Sequence, residues 1–210
     1  KPKEEFLNSL DARFGIQTPR AHGYDTVEAI EAMAAGKVKL FLGMGGNFIS
    51  ATPDSNYTGE AMQNCDLTVQ VSTKLNRSHL VTGKEALILP CLGRTEEDLQ
   101  DSGLQFVTVE NSMGVVHSSR GNRKPSSSKL LSEPAIVAGI ANETLNNKIS
   151  WNEMIGNYDV VRDHIEAVIP GFENYNERVR KPGGFYLPNG ARKAEFTTDS
   201  GKAKFTVNPL

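Results

Sequence analysis

Cysteine is nearly missing from this 210-residue sequence: Cys65 and Cys91 are the two, and they form no Cys-x-x-Cys pair. That count excludes a disulfide scaffold, a zinc ribbon and an iron–sulfur cluster held by this chain alone, and leaves two thiols that read as buried. Long apolar runs are also lacking. No stretch approaches the roughly 18 consecutive apolar residues that a membrane-spanning helix needs, and the opening Lys1-Pro2-Lys3-Glu4-Glu5 has no apolar centre of a signal peptide. The expectation is a cytoplasmic protein without a membrane partner. A basic excess is missing too: 23 Lys and Arg stand against 25 Asp and Glu, so no cationic field exists of the kind that draws nucleic acid. The four histidines, His22, His79, His117 and His164, are scattered and make no HxxxH or HExxH pattern, so a metal site built from them is not expected. Ser72, Ser78 and Ser112 lack a GxSxG elbow, which argues against a hydrolase.

What is present is the alternation of an α/β fold. The fold class read from it is a Rossmann-like parallel sheet with flanking helices (1–91), followed by a smaller α+β segment (92–195). Asp25 and Glu28 predict a capping box for a helix with the apolar stripe Val27, Ile30, Met33 and Ala34, ended by Gly36. Val38 to Leu42 reads as a strand covered on both faces, Leu67 to Val71 as a second and Ala86 to Leu89 as a third; helices are expected from Pro53 and near Ser78 to Gly83. Further on, Glu96-Glu97-Asp98 suggests a solvated helix start. Two strands are expected around Asn111 to Gly114, helices over about 133–145 and 158–168, and only short strands after Pro182. The end at Asn208-Pro209-Leu210, directly after a strand-like run, suggests a piece cut from a longer chain.

Two loops carry chemistry. Gly43-Met44-Gly45-Gly46-Asn47 follows the first strand, where glycines let a backbone approach a phosphate while amide N–H groups point at it. A tight strand-to-helix turn asks for the same glycines, and the loop is not a GxGxxG fingerprint. The second strand runs into Ser72-Thr73-Lys74-Leu75-Asn76-Arg77-Ser78-His79, seven of whose eight side chains can donate a hydrogen bond. Hydroxyls with a lysine and an arginine at a strand's carboxyl end suit an anionic ligand such as a nucleotide; a solvated turn capping the next helix is the plainer alternative.

The segments Leu42 to Phe48, Cys65 to Val69, Thr73 to Leu80 and Leu87 to Pro90, taken in order, resemble the dimethyl sulfoxide reductase and formate dehydrogenase superfamily of molybdopterin oxidoreductases, in its YdeP-type branch. Val109 to Ser112, Ser119 to Gly121 and Thr198 to Phe205 are similar to later landmarks of that superfamily, whereas Phe48 stands where it usually has proline. The resemblance implies a place inside a larger polypeptide that binds bis-molybdopterin guanine dinucleotide with molybdenum or tungsten, with 196–210 as the truncated start of its C-terminal cofactor-binding domain. It places any 4Fe-4S cysteines and the metal ligand upstream, so no catalytic residue falls in this chain. By the same resemblance Gly45, Gly46 and Asn47 line the cofactor's phosphates, while Ser72, Thr73, Lys74, Asn76 and Arg77 border its nucleotide end. The partners implied are the remaining domains of the same polypeptide and the dinucleotide, with self-association of the isolated, inactive chain through surface those domains would cover. A stand-alone nucleotide-binding or regulatory module without redox activity is the alternative, and a non-catalytic interaction domain a third.

Overall fold

The computed structural model describes residues 2–145 and 149–207; the close of the 196–210 segment, at 208–210, lies outside them. The first element is a helix the sequence reading passed over, α1 (Glu4–Phe14), with acidic residues in its first turn and Gly15 in the left-handed region ending it. The helix expected after Asp25 forms as α2 (Thr26–Ala34). Its capping box is closed: the Glu28 N–H donates to Asp25 Oδ1 (2.9 Å) and the Asp25 N–H to Glu28 Oε2 (3.0 Å). Ile30 and Met33 are buried, but Val27 is exposed and does not belong to the packed stripe.

Three strands then form one parallel sheet in the order β1-β2-β3: β1 (Leu40–Met44), β2 (Leu67–Ser72) and β3 (Glu85–Pro90), with Leu42 opposite Val69 and Val69 opposite Leu87. Between β1 and β2 lie a single turn of helix, α3 (Phe48–Ala51), and α4 (Ser55–Gln63), whose cap is Asp54, one residue later than Pro53 suggested. On one face of the sheet α2 and α4 pack through Ile30, Met33, Ala61 and Cys65, joined by Val38, Phe41 and Phe48. This is the α/β arrangement expected, with three corrections. β1 starts two residues later than Val38, because main-chain pairing with β2 begins at Leu40, and it takes in Gly43 and Met44. Its outer face is also not covered: Leu40, Leu42 and Met44 are exposed. The helix expected over 78–83 shrinks to one 3-10 turn at Arg77–His79.

Beyond β3 come a tiny hairpin, β4 (Leu99–Gln100) with β5 (Gly103–Leu104), and an antiparallel sheet of β6 (Val107–Glu110), β7 (Val115–Ser119) and β8 (Phe185–Tyr186), β7 in the centre. The helices are α5 (Glu133–Thr144), α6 (Trp151–Gly156), α7 (Tyr158–Val168) and α8 (Tyr175–Arg180). Glu96-Glu97-Asp98 opens no helix. Glu96 instead accepts the N–H groups of Gly93 and Ser126 (2.7 Å each) and pairs its main chain with Arg123, while Asp98 accepts the Tyr158 hydroxyl (2.5 Å). These carboxylates satisfy main-chain and hydroxyl donors, which outweighs helix propensity. After Pro182 the chain makes one short strand and a 3-10 turn at Ala191–Lys193, then continues mostly exposed through a turn at 198–201 rather than forming several strands.

A second core joins Val116, Tyr175, Val179 and Phe185. Under it Arg162, only 4% exposed, reaches Asn176 Oδ1 (2.6 Å), the Phe106 carbonyl (3.2 Å) and the Asp159 carboxylate, which Arg180 also holds (2.6 Å). The two halves of the chain meet where Ile136 of α5 packs on Val71, Leu89 and Cys91. Among the described residues no helix is long and apolar enough to cross a membrane.

Candidate functional site

β1 delivers its chain to Gly45 and Gly46 at the carboxyl end of the sheet, and both lie in the left-handed region (φ 65° and 70°). Residues with a Cβ rarely adopt that conformation, so the glycines are required by the backbone. The Gly45 N–H donates to the Val71 carbonyl (2.8 Å), which keeps the turn on the sheet. A Cβ on Gly46 would meet nothing within 4 Å, and one on Gly45 would meet only Glu133 Oε1 at 3.7 Å. Among the described residues, nothing accepts the main-chain N–H of Gly46 or Asn47.

The second loop is bonded directly to the first. Asn76 Nδ2 donates to the Gly46 carbonyl (2.7 Å), the Ile49 N–H donates to Ser78 Oγ (3.1 Å), and Ser78 Oγ reaches Asn47 Oδ1 (3.4 Å). Asn76 is fixed in turn, because its Oδ1 accepts the Ser78 N–H (2.9 Å) and its own N–H donates to His79 Nδ1 (3.0 Å). A side chain that caps its own turn while holding a neighbour's carbonyl makes the pair of loops one unit. Ligand crevices of open α/β sheets lie at this carboxyl end.

The eight residues singled out in the sequence therefore divide. Gly46, Asn47 and Asn76 are brought together by the bonds just given, and Gly45 anchors their turn. Ser72 Oγ donates to the Lys74 carbonyl (2.8 Å), so its hydroxyl closes its own loop. Thr73, Lys74 and Arg77 are exposed, and no described side chain pairs with either cation. Arg77 borders a groove along α4 with Ile49, Ser55, Asn56 and Glu60.

Two contributors were not singled out. Ser78 bonds both loops, yet in the sequence it is one hydroxyl among several. Glu133 opens α5, which Ser132 caps, and it stands beside Gly45. A Ser-Glu-Pro start reveals the helix but not where its amino end arrives. Glu133 and Arg94 also border an apolar cavity of about 650 Å³ that includes Met44, Val137 and Trp151. Burial pushes the thiol pKa of Cys65 and of Cys91 upward, with Asp66 and Glu133 adding to it, so both are held as neutral thiols. Among the described residues no three His, Cys, Asp or Glu side chains converge as metal ligands would.

The chain is thus an α/β protein whose clasped loops lie at the carboxyl end of a parallel sheet. It is 53% identical, over its whole length, to an uncharacterized oxidoreductase of Mycobacterium tuberculosis (strain H37Rv) and to its counterpart in Mycobacterium bovis. To the protein YdeP of Escherichia coli (strain K12) it is 46% identical over 99% of its length. It spans 27% and 28% of these relatives' own lengths, about a quarter of each. No family model matches the chain.

Proposed function

We propose that the two clasped loops form part of the site for the guanine dinucleotide arm of a molybdopterin cofactor, in an oxidoreductase of the formate dehydrogenase type, and that this stretch contributes binding rather than redox chemistry. The observation that carries the reading is the Asn76 bond to the Gly46 carbonyl. It turns that carbonyl inward to the protein, while the Gly46 and Asn47 N–H groups have no acceptor among the described residues. Two adjacent donors on a glycine turn suit a phosphate oxygen, and the exposed Lys74 supplies a cation without the cost of breaking an existing ion pair. When bound, the cofactor supplies the electron-transfer chemistry, and the chain's own residues position and neutralise it. The order of the family-like motifs and the relatives that bear the name oxidoreductase support the class. The metal ligand and any cluster cysteines belong, on this reading, to other parts of the polypeptide.

The test is Gly46→Val in the full-length protein. Valine is β-branched and disfavours a φ of 70°, and no neighbouring atom crowds its Cβ, so the cost falls on the backbone of this turn, about 1–2 kcal/mol. Pterin and metal content, with activity, are expected to drop together while the protein stays folded by circular dichroism. A folded variant with full cofactor content would refute the assignment.

A further inference from the structure

A parallel sheet buries both faces, because its crossover connections lay helices on each side. Here α2 and α4 pack on one face, where Ile88 of β3 stays exposed, and on the other face the edge strands are bare while Val69 and Val71 of the central strand are buried. Strand alternation puts Leu40, Leu42 and Met44 of β1 on that second face, with Val69 and Val71 of β2 and Leu87 and Leu89 of β3 beside them in register. α5 reaches only the carboxyl end, where Ile136 meets Val71 and Leu89. Leu40, Leu42 and Leu87 remain 53%, 43% and 50% exposed. A face meant for water would carry polar residues at these alternate positions, and β1 carries none there. The band also does not stop at the sheet: Met44 continues it into the cavity beside Val137 and Trp151.

We infer that this face seats an amphipathic helix contributed by the same polypeptide from outside these 210 residues. Three observations on different levels agree. The face is apolar along β1 and at Leu87 and Leu89 of β3, with Glu85 at the amino end of β3 its one charged residue; the sheet is of the type that takes helices on both sides; and relatives matching the chain end to end carry nearly three quarters of their length elsewhere. A helix tethered in the same chain acts at high effective concentration, so it outcompetes a second copy for the surface. A helix rather than a strand fits this face, since what it presents is side chains rising from the sheet plane; a strand would instead pair with the main-chain edge of β1 or β3. The inference stands independently of the cofactor reading.

The experiment places a photo-crosslinking p-benzoylphenylalanine at Leu42, and separately at Leu87, in the full-length polypeptide, and maps the captured peptide by mass spectrometry. Expected is an intramolecular crosslink to one segment outside the 210 residues, the two probes capturing positions three, four or seven apart. A crosslink between two copies, or one to a peptide within the 210 residues, overturns the inference. Because a bulky probe can perturb the fold, Leu42→Cys provides a second measurement. Its peptide is expected to resist a water-soluble maleimide until denaturant is added, whereas Lys124→Cys on an exposed loop labels at once. Equal labelling of the two in the folded protein also overturns it.

Discussion

Replacing Asn76 by alanine removes two bonds at once: the cap its Oδ1 gives the Ser78 N–H and the Nδ2 clasp on the Gly46 carbonyl. Loss of an Asn cap costs about 1 kcal/mol and loss of one neutral hydrogen bond about another. Asn76 is half-buried, so water recovers part of the second, and the local opening free energy is expected to fall by about 1.5–2 kcal/mol. The reporter is the amide of Ile49. That residue is buried, and its N–H donates to Ser78 Oγ across the two loops. Hydrogen exchange at Ile49 in the intact polypeptide should therefore quicken about 10- to 30-fold, while amides of the second core keep their rates. Asn76→Ser retains a capping oxygen but cannot span the distance to Gly46, so it should recover only the cap share. An Ile49 amide that exchanges at the wild-type rate in Asn76→Ala would refute the idea that this side chain holds the loops together.

Lys74→Ala and Arg77→Ala remove exposed cations that pair with no described side chain, so unfolding free energy should change by less than about 0.5 kcal/mol. Lys74→Ala should lower the retention of the dinucleotide measured after extensive dialysis, and Arg77→Ala less so, because Arg77 faces the α4 groove. Asp159→Ala strands the buried Arg162 charge and should cost about 3–5 kcal/mol in urea unfolding; a cost below about 1 kcal/mol would show the network to be ornamental. Burial works against the ionisation of Asp159, but the hydrogen bonds from Arg180 and Arg162 outweigh it and hold its pKa below the ordinary 3.8. A depressed folded-state pKa contributes stability that is complete above the unfolded value and disappears as pH falls through the folded one. Urea midpoints followed from about pH 6 to about pH 3 should thus drop less steeply for Asp159→Asn than for the wild type, and equal slopes would contradict this.

The helix at Thr26 and the parallel strands were legible because local rules and tertiary packing agree there: a capping box, short apolar runs and glycines at the strand end. β1 was displaced because Val38 is apolar for a different reason, packing against α2 and α4 from the loop before the strand. α1 escaped notice because its polar sequence buries Leu7 alone; it is held from outside, by Phe14 stacked near His164 (4.7 Å) and Arg13 bonded to it (2.9 Å). The acidic run at Glu96 misled because its charges serve partners about 30 and 60 residues away, a separation no local pattern reveals. At the site, residue types were readable but roles were not. Asn76 and Ser78 differ from Thr73 and Ser72 only in where their side chains reach, and that is decided by the meeting of two loops.

The paired left-handed glycines also bear on how this stretch tolerates change over generations. Every single-base substitution in a glycine codon that alters the amino acid introduces a side chain or a stop, and of those side chains only aspartate visits the left-handed region with any frequency. Because the space above Gly46 is open, such variants would be selected against without any visible collision. A deep mutational scan of the full-length gene should accordingly show depletion at codons 45 and 46 as severe as at packed core positions, although both residues lie at the surface.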